Sequence, residues 1–398
     1  MIEERVDKKI LIVATEYFSF VKDQTESIAH FFPEVAALIR YNPLAEISSV
    51  LPISSLTNYR RANLIKCDHL PPTVTVIPTP VWYIPTDSFY KRLGENHFSA
   101  ASHSIKRNGL RFDLIHAHAT WSAGYVGARL KEHYGVPLVV TAHGYDIYSL
   151  PFKDSTWQEK IEYVLNSADI IITVSQKNLE CINRLNVHRP VHIIPNGFRS
   201  DLFFPRDMMA CRKELGLPMN RKILLTVGNL EPVKGHKYLV EAIGSITGQR
   251  KDIFCVIVGT GSQRRALEKQ IRSAGLSEFV MLAGNKPHKD IPIWISACDI
   301  FVLPSLNEGN PTVMFEALGC GKPFIGTRVG GVPGIIVSDM YGLLTEQGNS
   351  SDLEEKILLA LDREWNWKSI LEYANQFTWE SISMDIVKIY RYALGEVP

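Results

Sequence analysis

The stretch Asp299–Gly331, DIFVLPSLNEGNPTVMFEALGCGKPFIGTRVGG, decides how the rest of the chain is read. Its apolar run predicts a buried strand over Ile300–Leu303, followed by a loop carrying Glu308 and a short helix carrying Glu316. Asn310 is placed as the N-cap, with Pro311 at the first helical position, where a missing N–H costs nothing. Gly321, followed by Pro323, stops the helix, and a second strand covers Pro323–Gly326. Two carboxylates then flank a helix start whose free N–H groups point back toward Gly309. Such an arrangement suits a phosphate and a polyol held side by side.

Working outward, 398 residues exceed one ordinary core and predict two domains. The formal net charge of +1 offers no global field for nucleic acid, so none is expected as a partner. The six cysteines form no Cys-x-x-Cys pair, and several fall inside apolar patterns. They read as reduced, buried thiols of a cytoplasmic protein. No apolar run reaches the roughly 18 residues of a membrane span, and the charged start MIEERVDKK argues against a signal peptide.

Short apolar runs at Ile10–Ala14, Asp113–Ala117, Leu138–Thr141, Ile170–Val174 and Val191–Ile194 alternate with helical patterns. Strands apolar on both faces imply a parallel sheet covered on both sides. After Asn196-Gly197 the pattern breaks, then restarts with Lys222–Val227, Ile253–Val258, Phe279–Leu282, Ile300–Leu303 and Phe324–Gly326. The expected organisation is a first α/β domain over 1–197, a linker over 198–220, a second α/β domain over 221–377, and a C-terminal helix over 378–398. Two doubly wound domains would face each other across a ligand cleft. The region Tyr41–Leu110 fits less readily, with a Pro-rich aromatic patch and a basic segment including Lys91, Arg92, Lys106, Arg107 and Arg111. It reads as a strand and helices packed on the first sheet with a solvated charged face, or as an element touching an acceptor or a membrane surface.

Gly228–Gly235, GNLEPVKG, joins a strand to a helix and carries Lys234, a combination suited to a diphosphate. Gly259-Thr260-Gly261 also ends a strand, but Arg264 stands where a dinucleotide fingerprint needs its third glycine, which disfavours a nicotinamide or flavin enzyme. His116 and His118 alternate onto one strand face. No carboxylate or cysteine cluster accompanies them, and Asp-x-Asp is absent, so no metal and no cofactor are expected. His143, in HGYD, follows another strand, where it could reach into a cleft or serve as a hydrogen-bonded loop residue. No Gly-x-Ser-x-Gly elbow supports a hydrolase.

In order, DLIHAH, TAHGYD, ADIIITVS, HIIPNG, VGNLEPVKGHKYLVEAI, VGTG, ACDIFVLPS, EGNPTVMFEALGCGKP and VGGVPG resemble the retaining glycosyltransferases of family 4, of the glycogen synthase and phosphatidylinositol mannosyltransferase superfamily. The resemblance spans about His116–Gly348 and implies the GT-B fold of two Rossmann-like domains. It implies transfer of a sugar, with retention, from a nucleotide-diphosphate sugar to a glycan, glycolipid or small-molecule hydroxyl in polysaccharide or cell-surface glycan biosynthesis. By this resemblance Glu316 meets the donor ribose, while Glu308 with Gly309, Asn310, Pro311 and Thr312 meets sugar and diphosphate. Lys234, with Gly228 and Asn229, lies at the diphosphate, and His143 lies at the reacting carbon, with His118 and Asp146 toward the acceptor. Peripheral contact with the inner membrane face is a further expectation, from the aromatic and basic segment Trp82–Arg111.

Three positions depart from the family pattern. Asn229 replaces the usual arginine, ATEYFSFVKDQ lacks the usual glycine-rich loop, and Gly334 replaces a frequent glutamate. A sugar-nucleotide-binding protein without transfer, or a GT-B epimerase, therefore stays open as an alternative.

Overall fold

The computed structural model describes residues 5–49 and 59–396. The first four residues of MIEERVDKK, the stretch 50–58 within the Tyr41–Leu110 region, and the last two of the C-terminal segment lie outside the described residues. Two compact units emerge, one from residues 1–196 with 379–398 and one from residues 197–378.

The first unit carries seven strands: β1 (Lys9–Ala14), β2 (Glu34–Tyr41), β3 (Val74–Pro80), β4 (Leu114–His118), β5 (Leu138–Ala142), β6 (Ile170–Thr173) and β7 (Val191–Ile193). Their order is β3-β2-β1-β4-β5-β6-β7, and every pairing is parallel. Central strands such as β1 (KILIVA) are buried on both faces because helices cover both. On one face lie Asp87–Asn108, Tyr125–Tyr134 and Ser155–Ser167. Ser19–Ile28 and the C-terminal helix Trp379–Ala393 cover the other, the latter through Ile382, Ile386, Val387 and Tyr390.

Within the Pro-rich patch of the 41–110 region, Val74–Pro80 forms the edge strand β3. Proline is tolerated there because an edge strand has one side that pairs with nothing. β2, which the apolar-run reading passed over, is also a fully formed strand in that sheet.

The second unit carries β8 (Lys222–Val227), β9 (Ile253–Val258), β10 (Val280–Gly284), β11 (Ile300–Leu303), β12 (Phe324–Thr327) and β13 (Gly342–Thr345), all parallel, in the order β10-β9-β8-β11-β12-β13. Its apolar residues form one cluster on each face of the sheet. The stretch 198–220, expected as a linker, belongs to this unit instead. Phe198, Phe203, Cys211 and Leu217 are buried in its core, and Met208–Leu215 forms a helix capped by the Asp207 side chain. Its polar composition hid four anchors spaced too widely for a periodic pattern. Cys67 is exposed, and the other five cysteines are buried free thiols.

Candidate active site

In each sheet the chain order reverses beside the first strand, between β1 and β4 in the first unit and between β8 and β11 in the second. Loops leaving the carboxyl ends of two such strands diverge to opposite faces and leave a crevice between them. In the second unit the crevice loops are Gly228–Gly235 after β8 and Pro304–Pro311 after β11.

These two loops are laced together. The Leu306 N–H donates to the Val233 carbonyl at 2.7 Å. Gly235 lies at φ +64°, and a Cβ there would fall 2.0 Å from the Pro304 oxygen, so only glycine lets the loops approach this closely. Lys234 is carried across to Glu308, its Nζ 2.7 Å from Oε1. The same Oε1 accepts from Ser305 Oγ at 2.6 Å. Glu308 is 9% exposed, so its charge is offset by these two donors rather than by bulk water. Gly330, at φ +55°, supports Glu308 from behind, because a Cβ there would lie 1.7 Å from the Glu308 oxygen. The Gly331 N–H also donates to the Gly309 carbonyl at 2.8 Å.

The following helix runs from Thr312 to Gly319, with Pro311, not Asn310, at its N-cap and no side-chain cap. Pro311 has the extended backbone of a cap (ψ 116°), which moves the helix start one residue later than expected and buries Asn310 beneath it. The strand after Gly321 likewise begins at Phe324 rather than Pro323. The first N–H groups of Thr312–Gly319 open beside Glu308 and Gly309, which leaves their positive end available to an anion.

Glu316 sits inside this helix and is 6% exposed. Its Oε1 lies 3.0 Å from Nε2 of His288, a residue no motif had singled out. His288 comes from the Pro287–Asp290 turn, and its ring packs 5.3 Å from Phe203 of the supposed linker. Asn229 is exposed in the β8 loop, and its carbonyl accepts from His236 Nε2 at 3.3 Å. Burial pushes the His236 imidazole down to about 4, so this support is neutral. Gly228 donates its N–H to Val258 at 3.0 Å, and Gly259 and Gly261 pack against the Gly228 and Leu230 carbonyls. The Gly-Thr-Gly element thus braces the β8 loop instead of opening a dinucleotide site.

At the carboxyl edge of the first sheet, His116, His118 and His143 come together. His116 is hydrogen-bonded at both ring nitrogens, Nδ1 with the Tyr390 hydroxyl and Nε2 with Thr141 Oγ1, each at 2.6 Å. His118 Nδ1 and His143 Nε2 are 3.0 Å apart, with rings within 12° of coplanar and centroids 5.3 Å apart. That is the spacing of an edge-to-edge hydrogen bond, not of stacked rings. Phe20, from the helix after β1, covers His143 at 4.6 Å between centroids. Burial lowers all three imidazoles, His116 to about 3, His143 to about 4 and His118 well below its ordinary value, so all are neutral near pH 7.

Asp146 has a structural task in this edge. Its carboxylate accepts from the backbone N–H groups of Thr120, His143 and Gly144 at 2.8, 3.1 and 2.7 Å, and its own carbonyl accepts from Thr120 Oγ1. Asp146 therefore fixes the turn that carries His143. The loop after β1, where glycines were missing, is secured differently. Tyr17 exchanges backbone hydrogen bonds with Leu64 and Lys66. Beside it Glu16 makes no hydrogen bond or ion pair among the described residues, and desolvation pushes its carboxyl up to about 7.

Two parallel doubly wound units with crevices at their switch points, one holding a lysine–glutamate pair beside a helix start, define the architecture of the GT-B glycosyltransferases. Comparison with known proteins agrees. Residues 208–377 match the family described as Glycosyl transferases group 1, and residues 57–202 match Glycosyltransferase Family 4. An uncharacterized glycosyltransferase of Methanocaldococcus jannaschii is 30% identical over 300 residues, covering 74% of this chain and 79% of its own. A D-inositol 3-phosphate glycosyltransferase of Corynebacterium glutamicum is 25% identical over 312 residues, covering 73% and 74%.

Among solved structures, sucrose-phosphate synthase from Thermosynechococcus elongatus superposes with a TM-score of 0.79 at 22% identity, covering 98% of this chain and all (100%) of its own. Anabaena HepE in complex with UDP superposes at 0.74 and 20% identity, covering 96% and 100%. The chain belongs to the group 1, family 4-like glycosyltransferases.

Proposed function

We propose that the chain transfers a sugar, with retention of anomeric configuration, from a nucleotide-diphosphate sugar to a hydroxyl of a glycan, lipid-linked or small-molecule acceptor. The proposal places this reaction in the cytoplasm, in polysaccharide or cell-surface glycan biosynthesis. The observation that carries it is the Lys234–Glu308 pair, 2.7 Å across the β8/β11 switch point and beside the start of helix Thr312–Gly319. A diphosphate placed there draws on the Lys234 ammonium and the helix N–H groups, while Glu308 turns toward the sugar hydroxyls and Glu316 toward the ribose.

The bond from the anomeric carbon to the diphosphate oxygen breaks as the acceptor oxygen bonds to the same face of that carbon. The acceptor proton passes to the departing diphosphate oxygen. No group on the protein has to act as nucleophile. Lys234 stabilises the charge gathering on the leaving group, a contribution made mainly in the transition state. His143 acts as a neutral hydrogen-bonding partner on the acceptor side, since burial holds its imidazole near 4. Metal ions and cofactors have no part in this proposal.

A uridine diphosphate sugar is the first donor to test, because HepE, which shares the fold, binds UDP and UDP-glucose. A thermal-shift screen of nucleoside diphosphates and their sugar conjugates should raise the apparent melting temperature for one base. With that donor, Glu308→Gln and Lys234→Ala should each lower the transfer rate by about 100- to 1,000-fold, with the product's anomeric configuration read by NMR. Near-full transfer in either variant, or release of an epimerised sugar without acceptor, overturns the proposal.

A further inference from the structure

A groove runs along the open edge of the first sheet, between β3 and the helix Asp87–Asn108, with a cavity volume of about 680 Å³. This is within the range of small-molecule sites, roughly 300–1,000 Å³. Trp82, 61% exposed, stands at the end where β3 reaches the carboxyl edge of the sheet, the edge that also carries His143. From there the helix contributes Asn96, Ser99, His103 and Arg107. Their spacing of three, four and four residues puts them on one helix face over about 16 Å.

None of these four side chains makes a hydrogen bond or ion pair with any described residue, and all four residues are exposed. The acids on the same helix are engaged elsewhere, Asp87 with Lys91 and Trp157, and Glu95 with Tyr125 and Arg129. The groove therefore keeps an uncompensated cation at its far end. Ala100, on the same face, leaves the space that gives the groove its depth.

The opposite wall decides what can occupy it. Pro78 and Pro80 lie in β3, which is paired to β2 alone. Their missing N–H groups prevent a peptide from adding as another strand. A concave site with one exposed indole at its mouth, an amide, a hydroxyl and an imidazole along its side, and a guanidinium at its end matches a sugar chain. The indole face packs against the C–H face of a pyranose, and the polar side chains meet ring hydroxyls. A flat lipid surface, in contrast, would leave the concave polar wall unmet.

We propose that this groove binds the remote part of an anionic oligosaccharide acceptor, with Trp82 stacking on one sugar and Arg107 pairing with a carboxylate or sulfate farther along. The proposal rests on the glycosyltransferase reading and assigns its acceptor a class, a glycan of several sugars bearing negative charge.

The test uses the full chain, without donor, in isothermal titration and saturation-transfer NMR. The probes are tetragalacturonate, a chondroitin sulfate tetrasaccharide and, as the neutral comparator, maltotetraose. An anionic probe should bind more tightly than maltotetraose. Trp82→Ala should weaken that binding by about tenfold. Arg107→Gln should weaken only the anionic probe, by about fivefold. Both variants should keep the wild-type thermal shift with the donor nucleotide, so that a failure of the groove is separable from a failure of the donor site. Absence of binding by all three probes overturns the proposal, as does binding that neither substitution changes. Flotation with phosphatidylglycerol vesicles that is lost in Trp82→Ala, without saccharide binding, assigns the surface to a membrane and also overturns it.

Discussion

At the carboxyl edge of the second sheet, Lys234 and Glu308 meet as an ion pair on loops that glycines allow to close together. At the same edge of the first sheet, His116, His118 and His143 form a buried, neutral set, and the backbone departs from ordinary geometry at residues with side chains. Ser19 after β1 and Ala119 after β4 have φ of 50° and 78°, where the second unit uses Gly235 and Gly330. One topology has thus been fitted with two chemistries. On the proposed reaction, the second unit's site would hold a diphosphate, which calls for charge and close backbone approach. The three histidine rings are neutral near pH 7 and suited to hydroxyl groups.

The largest expected consequence of that difference is a greater acid sensitivity in the first unit. His97, His116 and His118, all buried, and the half-buried His143 lie there with imidazoles lowered by desolvation, against His236 alone among the described residues of the second. A histidine whose folded value lies below its unfolded one of about 6.5 gives stability that is complete above that pH. The stability is lost as pH falls toward the folded value, because only the unfolded chain takes up the proton. Glu16 works in the opposite direction. Raised to about 7, it keeps its proton in the folded chain through the range where the unfolded carboxyl has released it.

Four lowered histidines outweigh the one raised carboxyl, so the unfolded first unit binds more protons than the folded one and its stability falls as pH drops below about 6.5. Hydrogen exchange on the whole chain, corrected for intrinsic rates, should show protection falling at pH 5 over β1, β4 and β5 before β8 and β11. Equal loss in the two units would remove the contrast.

The next effect tests the glycine side of the comparison. Gly330→Ala forces a left-handed residue with a Cβ against the Glu308 carbonyl. Backbone strain of this kind costs about 1–3 kcal/mol, and the 1.7 Å approach to backbone adds to it. Urea denaturation should show a midpoint lowered accordingly at an unchanged slope. The donor-nucleotide thermal shift should shrink in parallel, because the Glu308 loop has to move. A variant of wild-type stability would mean that the loop does not need the close contact.

What the sequence revealed follows the same division. The second unit's site was legible because its parts are contiguous. GNLEPVKG and EGNPTVMFEALGCGKP each carry strand end, glycine, charged residue and helix start within a few positions. His288 was not legible, since its only signal is position in space, opposite Glu316. Ser305 was missed because a serine after a strand says nothing until Glu308 turns back onto it.

In the first unit, β3 was legible only as a strand somewhere in Tyr41–Leu110, because prolines at an edge imitate a loop, and in the second Phe198 and Phe203 were lost in a polar stretch that resembled a linker. Asp146 was legible as a residue but not as a role. Its place in HGYD suggests a ligand, while its three backbone donors make it the support of a turn. Motif reading finds residues that act along the chain. It passes over those that act across it.

The smallest effect is the converse substitution. Ala119 links His118 to Thr120, whose N–H is held by Asp146, and its φ of 78° is imposed by these flanking anchors. Positive φ with an extended ψ of 143° costs an alanine about 1–3 kcal/mol, which glycine would relieve, and the freer unfolded chain takes back about 0.4–1 kcal/mol. Ala119→Gly should therefore be neutral or stabilising by up to about 2 kcal/mol, read as a raised denaturation midpoint with the His143 environment unchanged in NMR. If it destabilises instead, the alanine methyl makes a packing contribution larger than the strain. The first unit's edge would then be held by side-chain contacts in the way the second unit's edge is held by glycine-permitted backbone contacts.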